Sequence, residues 1–384
     1  MVRQKKSMIK FPSKFFSKLF PTVVHPGYLG VDIGTSSIKI VELAKTGMRV
    51  ELKNYGETSV LSLYEKQFRT FEKSTLLLSS RDIARAIRAI LEEAKIQTKF
   101  ANFSIPDFSS FFTTFEIPAM SEKELPQAIR YEAPQHIPLP LGEVTIDWQI
   151  IRNQVARKKG ERLKILLVAV TNEIIGQYRD IAQMSGLQLE NIEAEVFCLA
   201  RALAVKGEKG TVGLVDIGAQ STSCSIINNG ILKSSHSFDT AGNVLTQMLS
   251  QGLQVDYQKA EKLKRKYGLI SSFAGDDVSS RNEESKEVAK TLIPSIDLIL
   301  TEIERTFQEY SREENKEIDK VILAGGTALL PGLKEHITSF FNKKTEIINP
   351  FSEIFYHPTL EESLKEMGPS YAIAVGIALR SLEQ

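Results

Sequence analysis

Apolar and polar positions fall into two matching triplets of short runs. In the first, Tyr28, Leu29, Val31 and Ile33 lead into Asp32-Ile33-Gly34, and Thr35-Ser36-Ser37 makes a turn. A second run covers residues 38–43, Lys45-Thr46-Gly47 turns again, and residues 48–55 alternate as a third strand. The plan returns over residues 212–239, where Asp216-Ile217-Gly218 ends the first run and residues 219–222 form the turn. Asn229-Gly230 then marks a type I′ hairpin, since both residue types tolerate the positive φ it requires. One Asp-Ile-Gly is noise. Two, each closing a strand and opening a hairpin, predict a duplicated α/β domain with two facing phosphate loops.

The stretches between the triplets read differently. Residues 80–95 place Ile83, Ile87, Ile90 and Leu91 at helical spacing. Residues 101–118 are rich in Phe (Phe103, Phe108, Phe111, Phe112, Phe115), with a turn at Pro106-Asp107. Ser121 with Glu124 predicts a capping box, and Pro134, Pro138 and Pro140 an extended loop. Strands at 144–151 and 163–170, split by a basic turn at 157–160, precede a helix at 172–186. This βαββα-like order suggests an inserted subdomain. Further on, helices are expected at 192–205, 243–252, 257–267, 288–310 and 371–382. A polar loop is expected at 271–286, and a buried strand at 320–324 ending on Gly325-Gly326. Pro294 reads as a first-turn residue or a kink, and Pro331-Gly332 precedes another helix.

Length and charge narrow the class. A chain of 384 residues is long for one core. Lys+Arg 48 against Asp+Glu 47 leaves no global field that would favour nucleic acid. Cys198 and Cys224 sit in apolar contexts without metal-ligand spacing, and read as buried thiols of a reducing cytoplasm. No apolar run is long enough to cross a bilayer, so a cytoplasmic protein is expected. Before Asp32 there is no acid, while Arg3, Lys5, Lys6, Lys10, Lys14 and Lys18 interleave with Ile9, Phe11, Phe15, Phe16, Leu19 and Phe20. Two readings stand side by side: a disordered basic tail, or an amphipathic segment making peripheral contact with an anionic membrane.

The chemistry sits in the turns. Backbone N–H groups of paired Asp-Ile-Gly hairpins can cradle phosphate oxygens, and Ser and Thr hydroxyls add donors. Asp32 and Asp216 are candidates to hold Mg²⁺ through its waters. Neither the lysine-bearing P-loop nor the dinucleotide fingerprint occurs. Leu323-Ala324-Gly325-Gly326-Thr327 offers flat backbone against which an adenosine could lie. Glu261 and Lys264, three apart, share a helix face that on its own reads as solvated surface.

Taken in order, these elements resemble the actin-like ATPase superfamily, and within it the PilM family of type IV pilus assembly proteins, relatives of the division protein FtsA. The most specific resemblance lies in Ile117-Pro118, Glu124-Leu125, Glu132-Ala133, Ile137-Pro138-Leu139-Pro140, Glu143-Val144 and Asp147-Trp148. The close at Tyr371-Ala372-Ile373-Ala374-Val375-Gly376 follows the family too. The resemblance implies an actin-like fold with an interdomain nucleotide cleft and an FtsA-type insertion. Its divisions would be a basic extension at 1–27, domain I at 28–97, the insertion at 98–186, and a return to domain I at 187–210. Domain II would occupy 211–345, and 346–384 would return to domain I. It implies ATP with Mg²⁺ held by Asp32, Gly34, Thr35, Ser36, Ser37 and Lys39 in a first loop. Asp216, Gly218, Ala219, Gln220, Ser221 and Thr222 would form the second loop, with Gly242 closing the far side. Glu261 and Lys264 would meet the ribose, and Gly325, Gly326 and Thr327 the adenosine. The implied partners are the N-terminal cytoplasmic peptide of a PilN-like inner-membrane protein, docked beside the insertion, other pilus assembly proteins, and further copies of the chain.

The sequence departs from the actin-like Asp-Ile-Gly-x-Gly-Thr-Thr-Asp pattern at the second loop. Gln220, Ser221 and Ser223 replace the second Gly, the first Thr and the final Asp, so slow hydrolysis at most is expected. Glu193 or Glu195 is a candidate to position water, with a surface role for either as the alternative. The competing function is an FtsA-like filament. Against it, the sequence stops at Gln384 just after its last expected helix, where FtsA-like chains continue to a membrane-binding helix.

Overall fold

The computed structural model describes residues 27–59, 79–121, 123–152, 162–204, 210–273 and 283–382. The basic N-terminal stretch, the 157–160 turn and residues 274–282 of the expected polar loop lie outside these.

Two sheets of identical plan carry the chain. The first half runs β1 (Gly27–Ile33), β2 (Ser37–Thr46), β3 (Arg49–Ser59), α1 (Ser80–Glu93) and β4 (Phe100–Ile105). There follow β5 (Ser110–Pro118), α2 (Leu125–Glu132), β6 (Val144–Arg152), β7 (Arg162–Thr171), α3 (Asn172–Met184), β8 (Gln188–Ala194) and α4 (Glu195–Ala204). The second half runs β9 (Thr211–Ile217), β10 (Thr222–Asn228), β11 (Ile231–Phe238), α5 (Gly242–Leu253), α6 (Tyr257–Tyr267), α7 (Ile270–Phe273) and α8 (Glu283–Glu314). It closes with β12 (Lys320–Ala324), α9 (Leu333–Phe341), β13 (Lys344–Ile347) and α10 (Glu361–Leu379).

Strand order is β3-β2-β1-β4-β8 in one sheet and β11-β10-β9-β12-β13 in the other. Each is an antiparallel meander extended by two parallel strands. The repeated Asp-Ile-Gly therefore reflects a repeated architecture. At the second hairpin Asn229 and Gly230 take φ of 49° and 77°, the left-handed pair that a type I′ turn needs.

Between β4 and β8 the chain builds a separate three-stranded sheet, ordered β5-β7-β6, with its own apolar core. Of its aromatic residues, Phe115 is buried and Phe111 and Phe112 are half-buried, Phe112 lying against Phe197 of α4. These three rings are thus drawn into packing. Among the described residues, the large apolar side chains this unit exposes are Tyr131 and Leu139.

Helix α10 passes between the halves and packs on β1 and α4. A Cβ on Gly30 would stand 2.0 Å from Ala374 O, and one on Gly376 1.9 Å from Cys198 O, so only glycine permits these approaches. Both cysteines are buried and free.

The structure corrects several expected boundaries. Residues 192–194 belong to β8, and the helix begins only at Glu195. A strand buried in a parallel sheet shows the same unbroken apolar run as a buried helix. Helix α8 takes in Pro294 well inside its span, and α10 starts ten residues earlier than expected, running through Gly368-Pro369. Tertiary burial outweighs the proline penalty in both. The expected Ser121 box is half formed: the Glu124 carboxylate accepts from Ser121 N–H (2.9 Å), as such a box requires, but the Ser121 hydroxyl donates to that same carboxylate (2.6 Å) instead of capping a backbone N–H.

Candidate functional site

The two Asp-Ile-Gly turns are built alike. Gly34 N–H donates to Ser37 O (3.1 Å), and Gly218 N–H donates to Ser221 O (3.0 Å). Each turn leaves its aspartate at the carboxyl end of a central strand, where ligands of open α/β sheets collect. In the first turn Ser104 on β4 donates its hydroxyl to Asp32 Oδ1 (3.0 Å). Lys39 Nζ donates to Ser37 Oγ (2.7 Å) and lies 3.7 Å from Glu57 Oε1. Thr35 is half-buried and Ser36 exposed.

The second turn is the hub of a bonded cluster. Gly242 N–H donates to Gly218 O (3.1 Å), Asn243 N–H to Ala219 O (2.7 Å), and Thr327 Oγ1 to Gly218 O (3.1 Å). Lys264 Nζ donates to Gly242 O (2.9 Å) and Thr246 Oγ1 (2.6 Å), and pairs with Glu261 at 2.6 Å. Thr246 in turn donates to Glu261 Oε2 (2.5 Å). The face read as solvated surface is therefore turned inward: Lys264 is buried, and burial lowers its pKa against the pull of Glu261. Gly325 takes φ of 85°, and a Cβ there would stand 2.4 Å from Asp216 Oδ1. At Gly326 a Cβ would meet open space. The Thr222 hydroxyl is committed to Thr240 O (2.7 Å), and Gln220 Oε1 is buried without a partner.

Four carboxylates lie near enough to feel one another's charge between the turns: Asp32, Asp107, Glu195 and Asp216. Asp107 lies just past β4, where the sequence showed only a turn. Its Oδ1 accepts from Val196 N–H at the start of α4 (3.1 Å), and its own N–H donates to Glu195 Oε2 (3.4 Å). Burial, helped by Asp216, pushes Asp107 up to about 7, against the Val196 N–H and the Ser223 hydroxyl. Burial and the charge of Asp32 push Asp216 up to about 7, with Lys39 opposing. Burial likewise raises Asp32 against Lys39, and burial with the other three acids raises Glu195. Lys39 lowers both loop aspartates, so its charge is felt at both turns.

These acids suit a divalent cation. Asp216 Oδ1 and Asp107 Oδ2 are buried without hydrogen-bond partners, so added positive charge would relieve both orphaned acceptors and mutual repulsion. Among the described residues no three His, Cys, Asp or Glu stand close enough to share an ion directly. A cation held here would therefore meet these acids through its waters, as Mg²⁺ can.

Of the two candidate water-positioning acids, only Glu195 joins this group. Glu193 is tied to Arg201 by a pair of bonds at 2.6 and 2.8 Å. Glu193 is buried and Glu195 half-buried.

Two sheets of this order, with paired aspartate turns facing a cleft, define the actin-like ATPase fold. The chain belongs to the family described as type IV pilus assembly protein PilM, whose model matches residues 30–382. It is similar to a chain of the PilM–PilN type IV pilus biogenesis complex, with a TM-score of 0.78 and 22% identity, covering 95% of this chain and 100% of that one. It is also similar to MreB 5 of Spiroplasma citri bound to AMPPNP, with a TM-score of 0.50 and 14% identity over 92% of this chain and 95% of that one. In sequence it is 24% identical to the cell division protein FtsA of Enterococcus faecalis over 356 residues, 84% of this chain and 78% of that protein. Among the described residues no helix is long and apolar enough to cross a membrane.

Proposed function

We propose that the protein is an ATP-binding adaptor of a type IV pilus assembly complex, acting at the cytoplasmic face of the inner membrane. The observation that carries this is the convergence of two like-built aspartate turns on one group of acids, two of which keep buried, unpartnered oxygens. The similarity to an MreB bound to AMPPNP supports the same reading.

Backbone N–H groups of residues 34–37 and 218–222 would face the phosphates, and Asp32 and Asp216 the waters of Mg²⁺. The bound ion would neutralise charge shared between phosphates and carboxylates. Gly242 would close the far side, Glu261 and Lys264 would meet the ribose, and Gly325, Gly326 and Thr327 the adenosine. Glu195 would orient a water, and Lys39 would hold charge between the loops. Gln220, Ser221 and Ser223 leave the second loop stiffer and short of one acid, which favours binding over rapid turnover.

The three-stranded unit is the proposed partner face. The similarity to a PilM–PilN complex supports a PilN-like tail as its ligand. Leu139, held between two prolines and 38% exposed, and Tyr131, 79% exposed, are apolar surface that this unit does not use for its own core.

Two titrations test the proposal. Calorimetry with ATP and MgCl₂ should show saturable binding, and a PilN-like N-terminal peptide should bind the wild type more tightly than Leu139→Asp. Absence of ATP binding would overturn the nucleotide reading. Equal peptide affinity for both proteins would move the docking site elsewhere, and no binding to either would favour a self-assembling filament.

A further inference from the structure

The second phosphate loop has Ser223 where the actin-like pattern places its last aspartate. The structure brings another carboxylate to that place. Asp107, from the first half of the molecule, lies close enough to Ser223 for that hydroxyl to favour its charged form, and it feels the charge of Asp216. The single helical turn it opens, Asp107–Ser109, packs on β11 of the second half.

One oxygen of Asp107 has an ordinary structural job. Its Oδ1 caps the start of α4 by accepting from Val196 N–H at 3.1 Å. The other oxygen, Oδ2, is buried and closes no hydrogen bond of good geometry, the Ser223 hydroxyl standing near the carboxyl without completing one. A cap needs one acceptor and no net charge, and an asparagine would serve it as well. The residue is only 5% exposed, so an acid here carries a desolvation cost that capping does not require. Nearby, the Tyr178 hydroxyl is also fully buried without a partner, and feels the charges of Glu195 and Asp32. Orphaned donor and acceptor atoms around one group of acids are the polar partners that a hydrated ion and its waters would satisfy.

We infer that Asp107 is the carboxylate the second phosphate loop lacks at Ser223, supplied across the cleft by the other half of the molecule. It faces the water shell of the cation beside Asp216, and through its N–H it fixes the orientation of Glu195. This role rests on the nucleotide-binding reading above. Asp107 also stands at the root of the inserted three-stranded unit, three residues before β5 begins, so the unit and the cation site share an anchor.

The test compares ATP affinity in MgCl₂ with ATP affinity in EDTA. In Asp107→Asn, affinity in EDTA should stay within about twofold of wild type, while the enhancement by Mg²⁺ falls at least about fivefold, the usual scale of one charge-assisted contact. Adding Ser223→Asp to that variant should restore most of the enhancement, because the charge returns to the position the loop pattern assigns it. An unchanged enhancement in Asp107→Asn overturns the inference, and so does an equal loss with and without Mg²⁺, which is the mark of a purely structural cap. Failure of Ser223→Asp to restore overturns the equivalence of the two positions. A wild type that binds no ATP in either buffer defeats the nucleotide reading itself. Should Asp107→Asn fail to fold, Ser223→Asp alone decides: its melting temperature should rise more on adding MgCl₂ than that of wild type, and an equal rise counts against the inference.

Discussion

Arg201 grips Glu193 through both terminal nitrogens, at 2.6 and 2.8 Å, in an interior that neither side chain leaves. A second guanidinium, Arg380, lies 3.7 Å from the same carboxylate, and Arg201 also donates to Gly376 O at 3.1 Å. One acid thus joins β8, α4 and the chain just past α10. Two buried arginines face this one carboxylate, so removing its charge leaves both guanidinium groups without the acid that they share.

Glu193→Gln should therefore destabilise the fold by about 3–5 kcal/mol, the range for breaking a buried ion pair on one side. Urea unfolding measures it, and a loss below about 1 kcal/mol would contradict the assignment. Burial alone would raise this carboxyl, but the charges of Arg201 and Arg380 outweigh it and hold the pKa below the ordinary glutamate value. A depressed folded pKa gives stability that is present above the unfolded pKa and lost as pH falls through the folded one. The gap between wild type and Glu193→Gln should accordingly narrow in acid, below about pH 4.

The acid group of the cleft has the opposite sign. Asp107 and Asp216 are pushed up to about 7, so between their unfolded pKa and that value the folded protein holds more protons than the unfolded chain. Stability must then fall as pH rises through that window. Asp216→Asn should melt progressively higher than wild type as pH goes from about 4.5 to 8, with both proteins free of nucleotide and Mg²⁺. MgCl₂ should shrink the difference. A difference independent of pH would show that the acids do not share their charge burden.

Gly325 and Gly326 are adjacent in sequence and opposite in consequence. A methyl on Gly325 would press on Asp216 Oδ1 at 2.4 Å and Ile217 O at 2.5 Å, and the φ of 85° is itself strained for alanine. A methyl on Gly326 would touch nothing. Gly325→Ala should lower stability by about 1–3 kcal/mol, whereas Gly326→Ala should leave the melting temperature near wild type. If the adenosine lies on this backbone, Gly326→Ala should still weaken ATP binding. Unchanged affinity in Gly326→Ala would place the base elsewhere.

What the sequence made legible is what short-range chemistry fixes. Asn229-Gly230 specifies its turn by itself, and the two Asp-Ile-Gly hairpins each fold within one meander. What stayed hidden depends on distant partners. Asp107 looked like a turn residue because its partner Glu195 lies 88 positions on. Lys264 looked like a solvated cation because Gly242, which receives its hydrogen bond, lies 22 positions earlier on another helix. Residues 192–194 read as helix because a strand buried on both faces loses the alternation that would identify it. The Phe-rich stretch gave no sign of where its rings would pack, and Phe112 finds Phe197 across the boundary of the inserted unit. In each case the missing information was a long-range contact.

The inserted unit also reaches the second half of the molecule. Lys164 on β7 lies 3.3 Å from Glu313 and 3.4 Å from Glu314 at the end of α8, so distance does not choose between them. Burial does. The Glu313 side chain is 67% exposed, whereas those of Glu314 and Lys164 are 14% and 16% exposed. An exposed pair is screened by water and salt and holds a mobile side chain in one place, so Glu313→Gln should cost less than about 0.5 kcal/mol. Glu314→Gln leaves a largely buried ammonium without its shielded partner and should cost about 1–2 kcal/mol. Double-mutant cycles with Lys164→Met should assign the larger coupling to Glu314, and 1 M NaCl should weaken that coupling less than the other. Equal couplings would mean that water reaches Lys164 from both sides. The contact would then be a surface ion pair with no hold on how the inserted unit and α8 move together.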